Sequence, residues 1–456
     1  MMSRRSAMSV GTLLLVCAGA APSGASAQQA DTPDSVLTLI EALARATDSH
    51  PSLRVAEADY DAAGADLTRA RADWLPQLSL RASLTQHQEP MLAYPLHELT
   101  LDALPIFDRT LIQGGIDLGW KLFDGGGRTA RIRSSRARTE QAAASRVAAT
   151  TQLIIDVTRS YLGVLSTAEV LAALDEHLAA LEAERTRVRQ LLEQGQAAEV
   201  ERLRVEAALA QTDAERISTA AILDAAERSL ARMLGMDPSA VRASRLAPVR
   251  LAAPPLPART TLVERLEAAN ATVLEARHAA ESAEWARRAA SATWWPRLEG
   301  FGGYGLWAIP DGDVQLEWQV GVRVSYPLFT GGDRSGVIAG ATAQAVRARE
   351  RLALVELTSH ERLDHALTAS REQRARAEAV ATAVRHLTEV TRIERLALET
   401  GTGTQTDFLR AEADLHRARA ALVQAEYGEL LAQLELANAT GDLSMDWLYR
   451  TLETTP

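Results

Sequence analysis

Residues 360–365 read HERLDH, two histidines flanking acidic groups, a composition that could hold a zinc ion. A helical H-E-x-x-H motif needs its histidines four apart, one above the other on a single face. His360 and His365 are five apart, about 140° around a helix, so they do not share a face. A solvated helix face accounts for them better. The other candidates are two glycine turns, LFDGGGR at 122–128 and LFTGGDR at 328–334. A phosphate-cradling loop would need G-x-x-x-x-G-K-[ST], and neither stretch has it. The nine histidines are scattered, with no Met-rich or His-rich tract and no nucleophile constellation. The residues therefore give no catalytic, cofactor or metal centre, and the expectation is a protein that is not an enzyme.

The glycine turns instead report a duplication. At a constant offset of 206, Leu122-Phe123 falls on Leu328-Phe329, Gly125-Gly126 on Gly331-Gly332, Arg128 on Arg334, and Gly235 on Gly441. Upstream, at an offset of 220, Trp74 falls on Trp294 and Pro76 on Pro296, so the first copy has a longer loop before Leu122. Gly125, Gly126, Gly331 and Gly332 are read as turns that let a strand become a helix, with Asp124 and Thr330 placed to help as N-caps. Proline is absent from 106–237 and 328–455, and both runs are rich in Ala, Leu, Glu and Arg. Each can therefore form a long helical hairpin. The first helix can run from Arg128 to Leu192, roughly 98 Å at 1.5 Å per residue. The hairpins reverse at EQGQAAE (193–199) and ETGTGTQTD (399–407). Each copy begins with an amphipathic helix, 34–72 and about 258–293.

The chain starts with Arg4 and Arg5, an apolar run at 8–21 and a small-residue ASA at 25–27, the pattern of an export leader cleaved before Gln28. Lipidation at Cys17 is the rival reading, but Val16 directly before it is a poor fit. Cys17 is the one cysteine, so a disulfide framework is excluded. The divisions are a leader (1–27), a first repeat (28–235, strands about 77–123, helical hairpin about 127–234), a linker (236–257), a second repeat (258–441, strands about 297–329, hairpin about 333–440) and a tail (442–456). Net charge is -10, which argues against nucleic acid as a partner.

Strands are expected at 77–86, 111–123, 297–307 and 314–328. In the last, Val314, Leu316, Trp318, Val320, Val322, Val324, Tyr326 and Leu328 share a face opposed by Gln315, Glu317, Gln319, Gly321, Arg323 and Ser325. Trp318, Tyr326, Trp307, Trp120 and Trp295 lie near strand ends, as at two membrane interfaces. No stretch after the leader has the roughly 18 apolar residues of a transmembrane helix, so a spanning chain must use strands. Four strands cannot close a barrel, and open edges are costly in lipid, so the edges must pair with other copies. The alternative is a soluble periplasmic coiled-coil scaffold.

These residues resemble a family, the TolC-like outer membrane efflux proteins. The likeness rests on the leader, the duplication, HPSL (50–53), the WLP and WWP stretches before the strands, both LFxGGxR turns and the glycine tips. It implies a mainly α chain with a transmembrane β-barrel: a homotrimer with a 12-strand barrel in outer membrane lipid and a periplasmic α-helical barrel. It implies an exit duct for a tripartite efflux pump or type I secretion system, docked to a periplasmic membrane-fusion adaptor and an inner-membrane pump. In the family, acidic residues at the second tip narrow the periplasmic entrance. Asp407 takes the first such position, Arg410 departs from the second, and Glu201 is the first-copy equivalent of Asp407. Gly195, Gln196, Gly401 and Thr402 become the candidate adaptor contacts, although QGQ and TGT depart from the VGL-type tip of some members.

Overall fold

The computed structural model describes residues 36–97, 105–250 and 255–452. The leader, Cys17 and the Gln28 cleavage point lie outside them.

Each copy is built in the same order. A short helix α1 (Leu39–Ser49) is followed by α2 (Pro51–Ala72), a hairpin of β2 (Gln77–Leu92) and β3 (Phe107–Phe123), the long helix α3 (Gly127–Glu193) and its return α4 (Glu199–Leu234). A connecting helix α5 (Pro238–Ala243) leads to the second copy: α6 (Arg259–Ala269), α7 (Ala271–Ser291), a single 3-10 turn, β5 (Arg297–Ala308), β6 (Gln315–Ser325), α8 (Asp333–Glu399) and α9 (Gln405–Thr440), then α10 (Met445–Thr451). Both long helices have 67 residues and both returns have 36. At 1.5 Å per residue the long helices reach about 100 Å.

The single leading helix expected in each copy is two helices. In the first, Pro51 occupies the opening position of α2, where a missing N–H costs nothing, and the His50 ring accepts from Ser52 N. In the second, Asn270 does the same work without a proline. Its Oδ1 accepts from Thr272 N and Val273 N at 3.0 and 3.2 Å, while its Nδ2 donates to the carbonyls of Asn438 and Ala439 at the end of α9. One side chain thus starts α7 and satisfies orphan carbonyls of α9.

The strands differ from expectation at their ends. The first hairpin is longer, reaching Leu92 and starting at Phe107, whereas β6 covers Gln315–Ser325 only. The four strands form one antiparallel sheet in the order β2-β3-β5-β6, so β2 and β6 are its edges. A separate parallel pair, β1 (Val36–Leu37) with β4 (Arg245–Leu246), ties the start of the first copy to the connector.

The main apolar core lies away from the sheet. Leu39, Ala42, Leu43 and Ala46 of α1 pack against Ile154, Val157, Tyr161 and Leu162 of α3, with Leu230 and Leu234 of α4 and Leu448 of α10. The Tyr161 hydroxyl lies 2.7 Å from Leu37 O and 2.8 Å from Ala247 O, joining α3 to the small sheet. A second core gathers Leu262, Leu266, Leu363, Leu367 and Leu436 from α6, α8 and α9. No described helix is long and apolar enough to cross a membrane.

Candidate functional site

The register of the sheet sorts its side chains into two faces. Leu78 pairs with Leu118, Leu80 with Ile116 and Leu84 with Ile112. Ile116 continues to Tyr304, and Tyr304 to Trp318. Even-numbered residues therefore share one face across the regular part of all four strands, up to register shifts after Gln86 and after Lys121. That face is apolar and open: Leu80 is 80% exposed and Val320 74%. Glycines reinforce the sorting, since Gly302 on β5 stands between Leu118 and Val320.

The odd-numbered face is polar. Arg81 on β2 pairs with Asp117 on β3 at 2.6 Å. Glu299, Gln319 and Arg323 lie on the same side, and the Arg323 guanidinium covers the Phe301 ring at 4.9 Å. An apolar exterior and an ionisable interior are what a water-filled β-barrel wall requires. Trp307, expected in the interfacial belt, is on this polar face instead. Its register partners are Gln113 and Gln315. Its indole lies over Gly305, where no side chain competes, and it packs with Ala93, Tyr94 and Leu111.

Below the sheet, each repeated turn has left-handed glycines, with φ of +67° and +83° at Gly125 and Gly126 and +60° and +90° at Gly331 and Gly332. L-residues enter that region only with strain. The arginine closing each motif explains why it is repeated. Arg128 is buried, stacks 4.2 Å from the Trp74 ring and donates to Leu122 O at 2.9 Å. Arg334 lies against Trp294 and Tyr326 at 5.4 and 4.8 Å and donates to Pro327 O. A guanidinium thus fills each junction, capping strand-end carbonyls while its flat face meets the preceding tryptophan. The sequence held this signal, because Trp74/Trp294 and Arg128/Arg334 recur together, but the 54 and 40 positions separating the partners hid it. Asp124 accepts from Arg128 N at 2.8 Å, so it caps α3. Glycines, Gly126 and Gly332, hold the N-cap position of both long helices, and among the described residues Thr330 makes no side-chain bond matching that of Asp124. Asp73 also anchors the first junction, with Lys121 and Arg131 at 3.2 and 3.1 Å. Burial alone would raise its carboxyl, but the two cations hold it below the usual value.

At the far end are the hairpin tips. Gly195 and Gly401 take φ of +73° and +74°, and Gln196 and Thr402 are exposed beside them. Asp407 is exposed in the first turn of α9. Its N–H donates to Thr404 Oγ1 at 3.2 Å, and the Thr404 hydroxyl donates back to its carboxylate at 2.6 Å. Arg410 is exposed, and Glu201 half-buried in the first turn of α4. The two hairpins touch here: Arg204 donates to Thr406 at 2.7 Å and Arg187 to Gln405 at 2.9 Å. The HERLDH residues disperse, with His360 near Glu267 and Asp364 paired to Arg259.

The outer membrane efflux protein family model matches residues 42–236 and 262–442. The chain belongs to that family. It is 26% identical over 426 residues to outer membrane protein TolC of Vibrio cholerae, covering 89% of this chain and 91% of the relative. Among solved structures, the outer membrane protein VceC of Vibrio cholerae superposes with a TM-score of 0.76 at 20% identity, covering 88% of this chain and 96% of that one. The open state of the Neisseria gonorrhoeae MtrE outer membrane channel gives 0.71 at 20% identity, with 88% of each chain covered. This outer membrane efflux protein is a conduit rather than an enzyme. It sits in the outer membrane by its strands and extends into the periplasm by its helices.

Proposed function

We propose that the chain works as a homotrimeric exit duct, its three sheets closing one 12-strand barrel and its helical hairpins lining a periplasmic tunnel. One observation carries this: a four-stranded sheet whose two edges are unpaired among the described residues, with an open apolar face. In lipid, the N–H and C=O groups of β2 and β6 need strand partners. A further copy of the same sheet supplies them with matching apolar and polar faces. The family resemblance supports the number three. The tips would meet a periplasmic membrane-fusion adaptor through Gly195, Gln196, Gly401 and Thr402, with an inner-membrane pump beyond. Asp407 would narrow the periplasmic entrance, with Arg410 replacing a second acidic ring and Glu201 lying further out.

The test is the mass of the detergent-extracted protein by light scattering, together with its conductance in planar bilayers. The expected result is a trimer that opens ion-conducting pores. A monomer released from the periplasm without detergent would overturn the reading and favour a soluble coiled-coil scaffold.

A further inference from the structure

Helix α3 of the first repeat and α7 of the second run antiparallel along a tight seam. At one point Ser134 and Ser282 are buried and exchange hydrogen bonds, each hydroxyl donating to the other's carbonyl at 2.9 and 3.1 Å. Six residues along α3, about 9 Å, three side chains converge: Glu140 of α3 with His278 and Glu281 of α7. Nδ1 of His278 is buried and makes no hydrogen bond among the described residues. It stands 3.3 Å from Oε2 of Glu140 and 3.8 Å from Oε2 of Glu281.

The other oxygen of each carboxylate is already engaged. Arg136 Nε donates to Oε1 of Glu140 at 3.2 Å, and Trp285 Nε1 to Oε1 of Glu281 at 3.3 Å. The Trp285 indole is held in turn, with the guanidinium groups of Arg133 and Arg288 at 4.4 and 4.3 Å from its ring. Each carboxylate is thus oriented by a donor on one oxygen and turns its second oxygen toward the same orphaned imidazole nitrogen. Outer donors that fix carboxylate ligands in this way are the usual surroundings of a bound metal.

The spacing fits a particular class of cation. Nitrogen and oxygen ligands about 2.0–2.2 Å from a tetrahedral zinc ion are separated by edges of about 3.3–3.5 Å. The His278–Glu140 separation is such an edge, and the exposed Glu281 oxygen, 3.8 Å from His278 Nδ1 and within 4.8 Å of the Glu140 oxygen, reaches the other two by a side-chain rotation. Magnesium and calcium want six or more oxygens, so the imidazole selects against them.

We propose that Glu140, His278 and Glu281 form a divalent-cation site of the zinc class, completed by water, that clips the long helix of the first repeat to the leading helix of the second. His278 lies 138 residues from Glu140, so no sequence spacing betrays the site, and the buried serine seam holds its two halves in register.

The test is calorimetric titration of zinc into the full-length, detergent-extracted assembly, purified without a histidine tag and stripped with chelator. One zinc per protomer is expected, with micromolar or tighter affinity. His278→Ala and Glu281→Gln should each weaken it at least tenfold. Trp285→Phe, which touches no ligand atom, should weaken it about tenfold through the outer shell. Zinc should raise the thermal midpoint of the wild type and not of His278→Ala, and magnesium should do neither. His416→Gln, in the stacked His177–His416 pair between α3 and α9, should leave the stoichiometry unchanged. No saturable zinc at one per protomer would reduce the cluster to an ordinary ion pair and overturn the proposal. So would His278→Ala and Glu281→Gln titrating like the wild type, or loss of binding in His416→Gln. Should His278→Ala not assemble, Glu281→Gln, an exposed position, decides by the same criterion.

Discussion

At the scale of single residues, the helix-start contact of Asp407 and its proposed role at the entrance can be separated by substitution. Its carboxylate takes part in the reciprocal cap with Thr404 at the start of α9, and three copies near a symmetry axis would place a ring of like charge across the passage. Asp407→Ala is expected to raise single-channel conductance and lower cation selectivity. Asp407→Asn keeps the volume and removes the charge, so it should lower selectivity with less effect on conductance. Thr404→Ala breaks the cap but keeps the charge. It should cost about 1 kcal/mol of helix stability and leave selectivity alone. If Thr404→Ala and Asp407→Ala alter the channel equally, the carboxylate serves only the helix start.

The pair His177 and His416 sets a pH dependence. The rings stack at 5.1 Å and 9° between α3 and α9, and burial lowers both pKa values from their ordinary 6.5. Facing them are Glu412 and Arg419 on α9 and Glu215 on α4, with Arg395 of α8 and Glu184 of α3 around Glu412. Below pH 6.5 the unfolded chain takes up protons that the folded pair resists, so stability falls as pH drops. The limit is about 1.4 kcal/mol per pH unit for each ring. Burial raises the Glu412 carboxyl; its folded form protonates before the unfolded one, which offsets part of the loss nearer pH 4.5. The thermal midpoint should therefore fall between pH 7 and 5.5, and the double variant His177→Gln/His416→Gln should flatten that slope.

Among elements, the duplicated turns are alike in φ and unlike in surroundings. Gly235 and Gly441 both end return helices at positive φ, +64° and +80°. A Cβ on Gly235 would come no closer than 3.7 Å to the Ser49 hydroxyl, whereas on Gly441 it would sit 2.5 Å from the Ala269 backbone. Gly235→Ala should cost about 1–2 kcal/mol of backbone strain. Gly441→Ala must also push apart α9 and the α6–α7 break, so it should lose far more, read as yield of assembled protein and thermal midpoint. Equal losses would mean the second-copy contact is dispensable. The same asymmetry was invisible in the matched letters, because a repeat alignment reports φ requirements but not neighbours.

For the whole molecule, the decisive property is which face of the sheet meets lipid. Val320→Arg places a charge on the open apolar face at mid-strand, at a cost of about 2–4 kcal/mol. Gln319→Arg points to the polar side, where the Asp117 carboxylate lies across Gly303, and it should be tolerated. Heat-modifiable oligomer in membrane fractions is the readout. Equal assembly of the two variants would reverse the assigned faces.

The sequence by itself determined the duplication, the strand alternation, the proline-free helical hairpins and the glycine turns, because each is a local rule of period, φ or missing N–H. It also carried enough joint pattern to point to the family. Tertiary structure alone decided the rest. The Asn270 break depends on carbonyls of α9 some 168 positions away. The inward turn of Trp307 depends on cross-strand register and on the space above Gly305. Arg128 and Arg334 became legible only when folding laid tryptophans from before the strands onto them. The Glu140–His278–Glu281 cluster depends on two repeats meeting side by side. Such contacts join residues far apart in the chain, and no short-range periodicity encodes which distant surfaces will close against each other.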